Sequence, residues 1–220
     1  MSVAEHEGTT AAIAEIRRIY EGQNIRTNKL GFGRKAGVLV VDFQHMYTRG
    51  RASTGLAAVE ATARLIAAAR RIGAPIYYTV VAYGDADQGK VLWTEKLPGL
   101  LDNRIGTESV EVDPLITPRS GDMVIEKKAA SSFLGTGLKA DMDRRGIDTL
   151  VVAGTSTSGC VRASVVDGMG HNVRMIIARD CVSDRSQLLH ELTLFDLGSK
   201  YADVTPLDEV LAHFAARVAV

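Results

Sequence analysis

Three stretches of this chain end in side chains able to do covalent chemistry. L-V-V-D closes on Asp42, V-I-E-K closes on Lys127, and V-V-A-G-T-S-T-S-G-C carries Cys160 just beyond an apolar run. Taken singly, each has a plain structural explanation. An Asp at the end of a strand is usually a turn residue, a Lys-Lys pair a solvated strand end, and a lone Cys a small buried hydrophobe. Taken together they have the makings of an activated thiol. A cysteine at a helix N-terminus lies where backbone N–H groups and the helix dipole favour a thiolate, and a nearby ammonium adds to the effect. Asp42 is a base able to accept the thiol proton and return it to a leaving group. The small residues of T-S-T-S-G allow a tight turn whose amides can face a developing oxyanion. On this reading Cys160 is exposed because it is a nucleophile.

Positioning three such groups requires a scaffold whose strand ends converge. G-V-L-V-V-D-F (37–43) and D-T-L-V-V-A-G (148–154) are continuous apolar runs rather than alternating ones, the pattern of strands covered on both faces in a parallel sheet. P-I-Y-Y-T-V-V-A-Y (75–83), D-M-V-I-E-K (122–127), V-R-M-I-I-A-R (173–179) and a short run at 202–204 complete six strands. Helices are expected over 9–22, 55–73, 134–146, from Gly159 to Met169, over 186–199 and over 207–218. The segment 84–120, polar with three prolines and Trp93, reads as an excursion over the surface, either a lid over the site or an interface element. Strands alternating with helices predict βαβ units in an α/β, doubly wound three-layer domain, with ligands beyond the carboxyl ends of the strands.

Composition narrows the partners. The 220 residues carry 26 basic and 26 acidic side chains, with no basic cluster, which argues against nucleic acid and anionic membrane as partners. Two cysteines, Cys160 and Cys181, are too few for a disulfide framework and lie in no metal-ligand spacing. No apolar run has the ~20 residues that span a bilayer, and the acidic, polar N-terminus lacks the layout of a signal peptide. A cytoplasmic single-domain protein is the expectation.

The motifs L-V-V-D-F-Q, V-I-E-K-K-A-A-S-S-F-L-G-T-G-L and G-T-S-T-S-G-C-V-R-A-S-V-V-D together resemble the isochorismatase-like cysteine hydrolases. Within them the similarity is greatest to the N-carbamoylsarcosine amidase and maleamate amidase group. It runs from Gly37 to the C-terminus, so residues 1–36 are read as an N-terminal helix and link, a possible oligomer arm, and 37–220 as the hydrolase domain. The resemblance implies a six-stranded parallel sheet of order 3-2-1-4-5-6 and a triad that falls on Asp42, Lys127 and Cys160. Lys127 is preferred to Lys128 because the family lysine directly follows V-I-x. Strand three would stand two strands from strand one, roughly 10 Å away, a span only a long side chain crosses.

The resemblance further implies a cis peptide between Thr155 and Ser156, an oxyanion hole from the Ser156 and Cys160 amides, and substrate contacts from Thr157 and from Arg185 in A-R-D-C-V-S-D-R. It also implies a homo-oligomer, dimer or tetramer. Nicotinamidases of the superfamily carry an Asp and paired histidines for a metal after strand two; Y-Y-T-V-V-A-Y-G-D-A-D-Q has no histidine, so no metal and no cofactor are expected. His45, His171 and His190 stand singly and read as surface or packing residues. The expected function is hydrolysis of a C–N bond in a small, carboxylate-bearing amide or N-carbamoyl compound, through an acyl-enzyme that releases ammonia. The rivals are vinyl-ether hydrolysis with the cysteine idle and a non-catalytic interaction module.

Overall fold

In the computed structural model, which describes residues 3–23 and 27–218, six strands form one sheet. They are β1 (Ala36–Val41), β2 (Ile76–Val81), β3 (Met123–Lys127), β4 (Thr149–Thr155), β5 (Arg174–Ser183) and β6 (Asp203–Thr205). The order is β3-β2-β1-β4-β5-β6 and every pairing is parallel, as the motif order implied. The helices are α1 (Val3–Gly22), α2 (His45–Thr48), α3 (Ala57–Arg71), α4 (Leu92–Lys96), α5 (Leu138–Arg145), α6 (Arg162–Gly170), α7 (Gln187–Lys200) and α8 (Leu207–Val218).

The continuous apolar runs work as the two-residue period of a strand dictates. Val38, Val40, Tyr78, Val151 and Ile176 face one layer, against α3 and α8. Leu39, Val41, Tyr77, Val152 and Ile177 face the other, against α5, α6 and α7. Both faces are dry, so every residue of β1, β2 and β4 is buried. On α3 the residues Val59, Thr62, Leu65, Ile66 and Ala69 recur at helical spacing and are all buried. α1 begins earlier than its apolar periodicity suggests and lies along α7, with the Tyr20 ring edge-on to Phe195 at 5.4 Å.

Several boundaries differ from the sequence expectation for physical reasons. α5 starts only at Leu138, because residues 128–137 form a loop that first carries the chain past the strand ends. β5 runs on to Ser183, four residues beyond the apolar run, after a register shift opposite Val152–Gly154. The excursion 84–120 is not structureless: it holds α4 and short 3₁₀ turns at Asp85–Asp87, Pro98–Asp102, Glu108–Val110 and Pro114–Ile116.

One glycine is dictated by the close approach of two strands. Gly154, next to last in β4, has φ +130, and a Cβ there would stand 2.1 Å from the Val41 carbonyl oxygen in β1. Any side chain would push apart the two central strands at the end where Asp42 and Cys160 emerge. Gly154→Ala should therefore lower unfolding stability by about 3 kcal/mol in urea titrations. Gly8→Ala, in the open helical setting of α1, should be neutral or slightly stabilising.

Candidate active site

β1 ends at Val41, and Asp42 turns the chain out of the sheet with φ +53, a left-handed conformation that Asp adopts more readily than most side chains. The turn tucks its carboxylate under the strand ends, where it is 1 % exposed. Oδ1 accepts a hydrogen bond from Thr79 Oγ1 of β2 at 2.8 Å. Oδ2 lies 2.9 Å from Lys127 Nζ but off a hydrogen-bond line, which leaves it a lone pair without a partner.

Lys127 crosses the span its strand position demands. It stands at the end of β3, two strands from Asp42, and its extended side chain is completely buried along the way. Nζ also donates to the carbonyls of Ala129 and Ala130, each at 3.0 Å, and the Trp93 ring centre is 5.9 Å off. Burial works against the ammonium, but Asp42 and the Cys160 sulfur outweigh it and hold its pKa above the ordinary lysine value. Lys128 points elsewhere, pairing with Asp87 at 2.9 Å.

Cys160 enters from β4 through a tight turn. The Thr155–Ser156 peptide is cis, and residues Thr157–Val161 form a single wide turn kinked at Gly159. α6 proper begins only at Arg162, so the cysteine sits in a bent turn ahead of the helix rather than in its first turn. The turn is pinned from both sides. Asp184 Oδ2 accepts from the Ser158 amide and hydroxyl, both at 2.7 Å, and Ser164 Oγ donates to the Cys160 carbonyl at 2.7 Å.

The sulfur is in contact with both Asp42 and Lys127, so the three side chains singled out in the sequence meet at one point. Its electrostatics show how far burial opposes the features that favour a thiolate. Burial first, and then the Asp42 charge, push the thiol up to about 12, with Lys127 pulling the other way. Cys160 is half-buried rather than exposed, because it packs, as Val91 and Trp93 of the excursion do, against the cluster of Val81, Tyr83 and Leu100. The resting sulfur is a neutral thiol beside a carboxylate that can take its proton.

The remaining residues are placed as follows. Thr157 is buried, and its hydroxyl is 2.9 Å from His190 Nδ1. A half-buried His190, kept neutral by burial, thus braces the cysteine turn, a part the sequence reading did not give it. Arg185 follows β5 and is exposed. Its guanidinium has no ion-pair partner among the described residues. The neighbouring Asp184 is occupied by Ser158 and by the Arg185 amide, at 2.8 Å. Tyr47 on α2 was also missed; its hydroxyl feels the charges of Asp42, Cys160 and Arg185 and receives a hydrogen bond from Asn103. Among the described residues, no three His, Cys, Asp or Glu side chains gather closely enough to hold a metal. Nor is any described helix long and apolar enough to cross a membrane.

A buried carboxylate, ammonium and thiol at the strand ends of this sheet define a class. Residues 36–209 match the isochorismatase domain, and the chain belongs to that family of hydrolases. It is 39 % identical over 196 residues to the maleamate amidohydrolase of Pseudomonas putida, covering 86 % of this chain and 91 % of that protein. It is 31 % identical over 201 residues to the N-carbamoylsarcosine amidase of an Arthrobacter species, covering 86 % of this chain and 74 % of the relative. The crystal structure of N-carbamoylsarcosine amidase from Thermoplasma acidophilum superposes with a TM-score of 0.69 at 29 % identity, over 80 % of this chain and 98 % of that one.

A thiol with its pKa near 12 should alkylate slowly at neutral pH, its rate rising about tenfold per pH unit as the thiolate fraction grows. Iodoacetamide labelling followed by mass spectrometry between pH 7 and 9 checks this. Cys160 should still react before Cys181, which is equally raised but 0 % exposed. A Cys160 rate already flat at pH 7 would mean that the thiolate is preformed.

Proposed function

We propose that this hydrolase cleaves the C–N bond of a small, carboxylate-bearing amide or N-carbamoyl compound through a cysteine acyl-enzyme, releasing ammonia. The observation that carries the reading is the buried Asp42–Lys127 contact at 2.9 Å with the Cys160 sulfur against both. The amidohydrolase names of the relatives support the bond type.

The geometry supports the following course. As the Cys160 sulfur closes on the amide carbon, its proton passes to the free lone pair of Asp42 Oδ2. The Ser156 and Cys160 amides hold the negative charge that forms on the carbonyl oxygen. Asp42 returns the proton to the nitrogen, the C–N bond breaks, and ammonia leaves a thioester on Cys160. Water then adds to the thioester and gives its proton to Asp42. The carbon–sulfur bond breaks, the acid departs, and the proton goes back to sulfur. Lys127 remains charged throughout, offsetting whichever anion, carboxylate or thiolate, is present. Arg185, without an ion-pair partner of its own, is free to grip a substrate carboxylate through two parallel hydrogen bonds. Thr157 lines the turn beneath the substrate. No step calls for a metal or a cofactor.

Ammonia release from maleamate, N-carbamoylsarcosine and nicotinamide, each assayed separately, tests the reading directly. One of the two acids should be turned over and nicotinamide should not. Cys160→Ala should reduce turnover by roughly 10,000-fold or more with an unchanged circular dichroism spectrum, since alanine fits the turn but forms no thioester. Arg185→Ala should cost about 30- to 1000-fold in kcat/KM for the acid and little for its methyl ester. Arg185→Lys should fall between the two, keeping the charge without the fork. Activity should survive dialysis against EDTA; its loss, with recovery on adding zinc or manganese, would show that a metal takes part.

A further inference from the structure

Three side chains between β1 and the excursion determine where one hydrogen of the site must point. Gln44, completely buried, shares its two Nε2 hydrogens among three acceptors, the carbonyls of Val81 and Ser109, both at 3.1 Å, and the Asn103 side chain, and accepts at Oε1 from the Val81 amide at 2.8 Å. Each backbone group can play only one part, so the Gln44 amide fits one way round. Its Nε2 also faces the side-chain oxygen of Asn103 at 2.9 Å. That assigns the Asn103 oxygen as acceptor and turns its NH2 to the other side. There Nδ2 donates to the Leu100 carbonyl at 3.0 Å and to the Tyr47 hydroxyl oxygen at 2.9 Å. Inverting the buried Asn103 amide would set its oxygen against the Leu100 carbonyl and its NH2 against that of Gln44. Tyr47 must therefore accept from Asn103, and its own hydrogen has no acceptor among the described residues.

The surroundings of that hydrogen point to an anion. The hydroxyl is half-buried and lies within the electrostatic reach of Asp42, Cys160 and Arg185. Burial first, then the Asp42 charge, push its pKa up to about 12, while the Asn103 hydrogen bond and Arg185 pull it the other way; it stays a donor across the neutral range. A fixed donor within the field of an unpaired guanidinium is complementary to a carboxylate. From this geometry we propose that Tyr47 binds substrate, its hydroxyl donating to the same carboxylate that Arg185 holds. The proposal rests on the reading of the substrate as a carboxylate-bearing amide.

Tyr47→Phe keeps the ring and removes only the hydroxyl. The test measures maleamate and methyl-ester turnover together with calorimetric titration of maleate, the product diacid, on wild type and variant; thermal unfolding confirms that both are folded. The variant should lose about 10- to 100-fold in kcat/KM for maleamate, mainly through KM, and weaken maleate binding by a similar factor. The neutral ester should change little. Equal behaviour of wild type and Tyr47→Phe toward the acid would overturn the proposal, as would a wild type that hydrolyses amides but binds no carboxylate. A wild type that releases no ammonia but binds maleate more tightly than the variant would sink the amidase reading and leave Tyr47 its role.

Discussion

A charged carboxylate and a charged amine, each shut away from water, sit 2.9 Å apart at the centre of this molecule, and much of the architecture serves to keep them so. Removing two ions from solvent costs several kcal/mol apiece, and their attraction repays that only when geometry and further hydrogen bonds are good. Here the further bonds come from Thr79 on β2 and from two carbonyls of the loop after β3. The pair therefore ties three adjacent strands together at their carboxyl ends. An isosteric apolar pair would pack as well or better, so stability alone does not account for these ions. What they create is a dry place where a thiol proton has somewhere to go.

The sheet was legible because both its faces are dry, and dry strands read as continuous apolar runs. Its order was legible only through the motifs, since hydrophobicity carries no information about which strand neighbours which. Asp42, Lys127 and Cys160 could be singled out because each ends a strand, and parallel topology brings such ends together. The parts that escaped share a different cause. Tyr47 rides on a four-residue helix with no periodicity to announce it. Asn103 lies in the polar excursion, where its burial comes from tertiary packing alone. His190 read only as a surface or packing residue because the turn it braces is 33 residues away in sequence. The raised pKa of the thiol was also out of reach: the features that favour a thiolate were visible in the sequence, while the burial that opposes it was not.

The excursion between β2 and β3 joins these strands of argument. As a sequence it looked like a surface detour. In the structure its lone Trp93 stands near Lys127 and packs against the same apolar cluster as Cys160, and its Asn103 reaches back to the helix after β1. Gln44, two residues past Asp42, binds both β2 and this segment. One buried amide thus sets the position of the base and that of the roof in the same stroke. The dryness that raises the thiol pKa and strengthens the Asp42–Lys127 attraction has its origin here.

Two hydrogens of the Lys127 ammonium go to the Ala129 and Ala130 carbonyls, and the Asp42 carboxylate holds the charge from 2.9 Å. A charge so tethered cannot swing toward an arriving substrate or follow a departing one. Its field is already in place before the reaction starts and unchanged when it ends, and in water much of the barrier to charge migration is the turning of solvent dipoles to meet it. The lysine is in that sense a frozen piece of solvent, oriented once, at folding, for every turnover that follows.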